Sequence, residues 1–135
     1  MHKEKIVVDK LILKYGTANP FELCDLLGFK LSYKSIGSLN GIYRYLRKTQ
    51  FVTINSERER SQQIITCAHE IGHGVMHPRD NAFFLDTTLF VSKKQEIQAD
   101  RFTGYLLLEY YRNLENIPDK YLKLVDSNII VNYLN

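Results

Sequence analysis

The sequence predicts an α+β fold, with a small three-stranded antiparallel sheet packed against helices. Segments in which apolar and polar residues alternate, as they do in half-buried strands, lie between about residues 29 and 55. Segments with helical spacing and clear start and stop signals lie on both sides of this region. The chain of 135 residues has the length of one domain with one core, and we expect residues 1–135 to form it.

Local start and stop signals predict the order and approximate bounds of the elements. Asn19 is a favourable N-cap with Pro20 at the first helical position, and Ser56 forms a capping box with Glu59. Residues 78–91 form an unusually apolar connector, which we expect to fold back over the domain. The predicted helices cover 4–14, 20–27, 56–77, 93–112 and a segment from Pro118, and the predicted strands are Phe29–Ser35, Ile42–Arg47 and Phe51–Asn55, the last two joined by a hairpin loop at 48–50.

Composition and charge disfavour a DNA-binding protein, a membrane-spanning protein and a small secreted protein. The formal charge is +3, from 18 basic and 15 acidic residues, which is small for a nucleic-acid-binding surface. We therefore expect no sequence-specific binding to DNA. No stretch approaches 18 consecutive apolar residues, so no membrane span is expected. Two distant cysteines, Cys24 and Cys67, are atypical of a small secreted domain, and the N-terminus has no signal-peptide pattern; we expect a cytoplasmic protein.

The segment Thr66–Gly74, TCAHEIGHG, carries the strongest functional signal. A helix turns about 100° per residue, so His69 and His73 lie on one face about one turn apart and can converge on one cation. Glu70 is directed about 100° further round, where it can reach a water on that ion and act as a general base. Two histidines that merely pack or face solvent are the competing interpretation. Gly72 disfavours it, because a glycine inside a helix costs about 1 kcal/mol and indicates the close approach of another element.

The predicted helix beginning at Lys93 offers a third ligand. Glu96 and Asp100 are four residues apart and therefore share a helix face. Glu96 can complete a set of two histidines and one glutamate, which leaves one position open as at catalytic zinc sites. Asp100 can accept the second N–H of a ligating histidine and so fix its tautomer. An isolated pair of this kind is more often a solvated acidic patch. Zinc is the expected metal, and manganese or cobalt is also compatible.

Together these two segments resemble the ImmA/IrrE-type metallopeptidases, whose metal site is similar to that of the thermolysin-like gluzincins. The family pattern resembles T-x-A-H-E-L-G-H followed by E-x-x-A-[ND]-x-F, and it reads here as Thr66–His73 and Glu96–Phe102. The upstream segments Gly41–Tyr43 and Phe51–Asn55 also resemble the hairpin that precedes the family's metal helix. The resemblance covers roughly residues 20–110.

What the resemblance implies is a function and a set of residue roles. His69, His73 and Glu96 would bind the metal and Glu70 would be the general base, while Asp100 stands where the family more often has asparagine. The implied activity is that of an intracellular zinc endopeptidase that cleaves a helix-turn-helix repressor and so derepresses genes of a phage or mobile element. The alternative is a non-catalytic regulator that keeps the metal-bound fold and binds a repressor or DNA. A purely structural metal protein is disfavoured, because an open ligand position serves no structural purpose.

Overall fold

The computed structural model describes residues 2–84 and 93–112. The predicted helix from Pro118 and much of the apolar connector lie outside these ranges. None of the described helices is both long and apolar enough to cross a membrane. The elements in chain order are α1 (Lys3–Tyr15), α2 (Pro20–Leu26), β1 (Lys30–Lys34), β2 (Gly41–Leu46), β3 (Thr49–Asn55), α3 (Arg60–Met76), β4 (Ala82–Phe84) and α4 (Lys93–Arg112).

The predicted α+β class is confirmed, and the strands form one sheet in the order β1-β3-β2-β4. β2 and β3 make the predicted hairpin, with Leu46 opposite Thr49. Its turn consists of Arg47 and Lys48, which both have positive φ angles of 52° and 64°. Tight two-residue hairpin turns require this conformation, because it matches the twist of the flanking strands. The turn is therefore shorter than the predicted loop at 48–50.

The predicted purely antiparallel pairing of three strands is wrong in two respects. β1 runs parallel to β3, and the short strand β4 adds a fourth member by pairing antiparallel with β2. The loop after β1 carries the chain past the position of β3, and β3 then fills the gap between β1 and β2. Asn55 holds this loop, because its side-chain amide donates to the carbonyls of Gly37 and Leu39. Alternation along a strand specifies a buried face and not a partner, so this order was not readable from the sequence.

The helix that carries the histidines begins later than the capping box predicts. α3 starts at Arg60, and its N-cap residue Glu59 makes no side-chain capping hydrogen bond. The Asn55 side chain instead accepts from the Glu57 N–H, and the Ser56 N–H donates to the Lys34 carbonyl. These bonds extend the end of β3 into a turn, which delays the helix. By contrast, Asn19 caps α2 as predicted, because its side chain accepts from two backbone N–H groups of the first turn.

α3 is the central element of the core, because it packs against α4 on one side and against the sheet on the other. At Gly72 the two helices approach so closely that a Cβ atom would lie 3.1 Å from the Phe102 ring. The close neighbour that an interior glycine predicted is therefore Phe102 on α4. Phe102 belongs to the hydrophobic core, whose fully buried side chains include Leu23, Ile54, Cys67, Ile71, Leu106 and Leu107.

Candidate metal centre

The side chains predicted from α3 and α4 to form a site meet in one buried cluster. His69, Glu70 and His73 are at most 1% exposed, and Glu96 is 6% exposed. The four-residue spacing of the histidines directs both rings from α3 towards α4, where Glu96 lies in the first turn. Helix periodicity and the packing of two helices therefore bring together residues that are far apart in the chain.

Donor atoms from three of these side chains converge at short distances. The Nε2 atoms of His69 and His73 are 3.1 Å apart. The Glu96 carboxylate reaches both, with Oε2 3.0 Å from His69 Nε2 and Oε1 3.1 Å from His73 Nε2. Zinc–ligand bonds of about 2.0–2.1 Å in a tetrahedral site would place neighbouring ligand atoms about 3.3 Å apart. The donor set and its spacing thus fit a divalent cation.

Asp100 contacts the other nitrogen of the first histidine. Its Oδ1 atom lies 3.3 Å from His69 Nδ1. A hydrogen bond from Nδ1–H to a carboxylate leaves Nε2 as the unprotonated nitrogen, which is the form that binds a metal. The predicted arrangement, in which Glu96 and Asp100 approach one histidine from the same face of α4, is therefore present.

Glu70 is the most unusual group in the cluster. It is fully buried, and neither carboxylate oxygen has a hydrogen-bond partner. Buried polar atoms nearly always have partners, because an unsatisfied group loses its hydration without compensation. Ligand atoms of Glu70, His69 and His73 all lie within 4.8 Å of one another. The orphaned carboxylate therefore points to a water or an ion as the missing partner at this position.

Glu70 and Glu96 compete as the carboxylate of the ligand set. Glu96 has oxygens 3.0–3.1 Å from both histidine Nε2 atoms, whereas Glu70 is within hydrogen-bond distance of no described donor. A metal ligand must lie as close to the two histidine Nε2 atoms as they lie to each other. A general base must instead be separated from the metal by one water molecule. By these distances Glu96 could serve as the third ligand of a metal, and Glu70 could act on a water held by that metal.

The charges in the cluster are strongly coupled. Burial raises the pKa of Glu70 to about 8, and the neighbouring charge of Glu96 adds to this rise. Burial acts to lower the pKa of His69, but its hydrogen bonds with Asp100 and Glu96 outweigh burial and raise the pKa to about 10. Burial also opposes ionisation of Glu96, yet the two histidines bring its pKa down to about 2. In the metal-free cluster both Glu70 and His69 are therefore protonated near neutral pH, and a cation bound at His69 Nε2 would replace the proton there.

Gly41 lies beside the candidate site, which the sequence around it did not predict. It is the first residue of β2, and a Cβ atom there would lie 2.4 Å from Thr66 Cγ2 and 3.3 Å from Glu70 Cγ. Only glycine allows the strand to pass this close to the helix, so the sheet directly covers Glu70. The signal in the sequence was a glycine at the start of a strand, which by itself is also ordinary turn chemistry.

Comparison with known proteins identifies the family of this chain. The family model described as the IrrE N-terminal-like domain, a peptidase family, matches residues 24–125. An immunity region protein of Bacillus phage phi105 is 34% identical over 118 residues, covering 82% of this chain and 75% of the phage protein. The metallopeptidase ImmA of Bacillus subtilis strain 168 is 28% identical over 129 residues, covering 95% of this chain and 75% of ImmA. The chain therefore belongs to the ImmA/IrrE-type family of metallopeptidases.

Proposed function

We propose that the chain is a zinc-dependent endopeptidase in which His69, His73 and Glu96 hold the metal and Glu70 is the general base. The observation that carries the proposal is the buried, unpartnered carboxylate of Glu70 beside the convergent donor atoms of three other side chains. A structural metal site has no use for such a group, since it costs stability and binds nothing in the protein. A hydrolytic site, by contrast, needs a carboxylate of this kind to accept a proton from the attacking water. Manganese or cobalt would suit the same donors.

The proposed mechanism assigns one task to each side chain. A divalent cation bound here would supply Lewis acidity, which polarises a peptide carbonyl and makes water a better nucleophile at neutral pH. Glu70 accepts the proton of the attacking water on a carboxylate oxygen and delivers it to the amide nitrogen that leaves. Asp100 holds the His69 ring through Nδ1, which keeps Nε2 directed into the cluster.

The substrate is proposed to bind as an extended peptide along β4. This strand is at one end of the sheet order, so its outer edge has no strand partner among the described residues. β4 pairs with β2 at Gly41, and Gly41 is the residue that lies against Glu70. A peptide added to this edge would gain backbone hydrogen bonds beside the proposed base, a recurrent mode of peptide capture.

The proposed substrate is a helix-turn-helix repressor, whose cleavage would derepress genes of a phage or mobile element. Support comes from the resemblance to ImmA/IrrE-type peptidases and from the two relatives, of which one is named for a phage immunity region and the other is a metallopeptidase. Such a substrate acts on DNA inside the cell, so a cytoplasmic location belongs to the same proposal.

The test is whether zinc-loaded protein cleaves a candidate helix-turn-helix repressor from the same genome. The wild type and the exposed-site control Glu57→Gln should cleave it, whereas Glu70→Gln should retain its zinc and be slower by about 10²–10⁴-fold. Intact mass measurement of the repressor and metal analysis of the same samples give both readouts. Derepression in cells by Glu70→Gln as strong as by the wild type would refute proteolysis and favour the regulator that acts by binding.

A further inference from the structure

A short turn after α3, residues His77–Asp80, is joined to the first half of α4 by two side-chain hydrogen bonds. His77 Nε2 bonds to Gln98 Oε1, which makes the histidine the donor because the amide oxygen can only accept. Gln95 Nε2 donates to Asp80 Oδ2 at 2.8 Å. His77 is also the C-cap residue of α3, one turn beyond His73, so the turn directly continues the helix that carries the histidines.

The opposite side of this turn is anchored to the sheet. Tyr43 on β2 is fully buried, and its hydroxyl donates to the carbonyl of Pro78 at 2.5 Å. Gln50 on β3 donates 2.8 Å hydrogen bonds to the Tyr43 hydroxyl and to the Gly74 carbonyl at the end of α3. These hydrogen bonds fix the position of the turn relative to α3 independently of the contacts of the turn with α4.

The two contacts with α4 bracket the proposed metal ligand. Gln95 directly precedes Glu96, and Gln98 follows it by two residues. The close packing of Phe102 against Gly72 lies further along α4, about 9 Å from Glu96 at 1.5 Å per residue. The hydrogen bonds of Gln95 and Gln98 therefore attach α4 to the rest of the domain closer to Glu96 than the packing at Phe102 does.

We propose that Gln95 and Gln98 are positioning residues, held by Asp80 and His77, that keep the Glu96 carboxylate at the two histidines for metal binding. The inference rests on the proposed role of Glu96 as a ligand. The ligands come from two separate helices, so the free energy of metal binding includes any cost of bringing Glu96 to the histidines. A protein that holds Glu96 in place beforehand binds the metal more tightly.

The experiment measures zinc affinity by competition with a chromophoric chelator. Gln95→Met and Gln98→Met keep the side-chain length and remove the hydrogen-bonding amide, whereas Gln98→Glu keeps an acceptor for His77. Each methionine variant should bind zinc about 2–10-fold more weakly, the effect of one lost hydrogen bond, and the double variant more weakly than either. Gln98→Glu and the exposed control Lys94→Ala should bind zinc with an affinity within about twofold of that of the wild type.

Two further readouts separate positioning from general stability. The melting temperature of the metal-free methionine variants should fall by no more than about 2–7 °C, the effect of one lost hydrogen bond, and the visible spectrum of bound cobalt should change, because the carboxylate is displaced. Wild-type zinc affinity in both methionine variants, together with a large loss in Glu96→Ala, would overturn the positioning role and leave the proposed function intact. Equal zinc affinity in the wild type and Glu96→Ala would overturn the ligand assignment and this inference with it.

Discussion

Replacement of Glu70 by methionine is expected to stabilise the metal-free protein. The Glu70 side chain is fully buried, and both of its oxygens lack hydrogen-bond partners. An unsatisfied buried polar group costs about 1–3 kcal/mol. Methionine has a similar length, a similar helix propensity and no such group. The free energy of unfolding should therefore rise by about 1–3 kcal/mol, and each kcal/mol raises the melting temperature of a domain of this length by about 3–5 °C.

The gain in stability should depend on pH. Burial raises the pKa of Glu70 from 4.5 to about 8, with a further contribution from the charge of Glu96. Between these values the folded protein keeps a proton that the unfolded chain has lost, so this group makes the wild type less stable as the pH rises. The methionine variant has no carboxyl group at this position and therefore does not lose stability in this way. Its advantage over the wild type should be larger at pH 8 than at pH 5.

Thermal unfolding followed by circular dichroism on chelator-treated protein is a suitable assay. Glu57→Met is the matched control, because Glu57 is exposed and its replacement should change the free energy of unfolding by at most about 0.5 kcal/mol. If Glu70→Met were no more stable than the wild type at either pH, the Glu70 carboxylate would be satisfied in the folded protein. The argument from its orphaned oxygens would then fail.

Three more outcomes are expected. Metal analysis should find close to one zinc ion per purified wild-type chain and little in Glu96→Ala, and unchanged content in that variant would remove Glu96 from the site. Asp100→Ala should weaken zinc binding by about 10–100-fold in a chelator competition, whereas unaltered affinity would show that His69 needs no such partner. The protein alone should give no salt-sensitive nanomolar gel shift with an operator sequence, and such a shift would favour the regulator that acts by binding.

The proximity of the side chains in the candidate metal centre was predictable from the sequence because the signals for it are local. Helix periodicity alone determines that His69 and His73 share a face, and the same holds for Glu96 and Asp100. The closeness of α3 to α4 was predictable at Gly72, because glycine in a helix interior is unfavourable unless a neighbour needs the space. The roles of these residues as ligands and base remain predictions.

The sheet order and the contacts of the His77–Asp80 turn were not predictable, because both depend on tertiary neighbours. Alternation in β1 indicated a strand but not that β3 would lie parallel to it. The capping box at Ser56 was overridden because Asn55 made a competing local hydrogen bond. Nothing in the local pattern around Gln95 or Gln98 indicates contacts with a turn 15 or 21 residues earlier.

Diffraction from crystals of zinc-loaded protein, measured at the zinc absorption edge, would test the proposed catalytic metal site most directly. We predict one anomalous peak, with His69 Nε2, His73 Nε2 and a Glu96 oxygen about 2.0–2.2 Å away, and a water in the remaining position within hydrogen-bond distance of Glu70. A metal held by Glu70 in place of Glu96, or one enclosed by four protein ligands with no water, would contradict it.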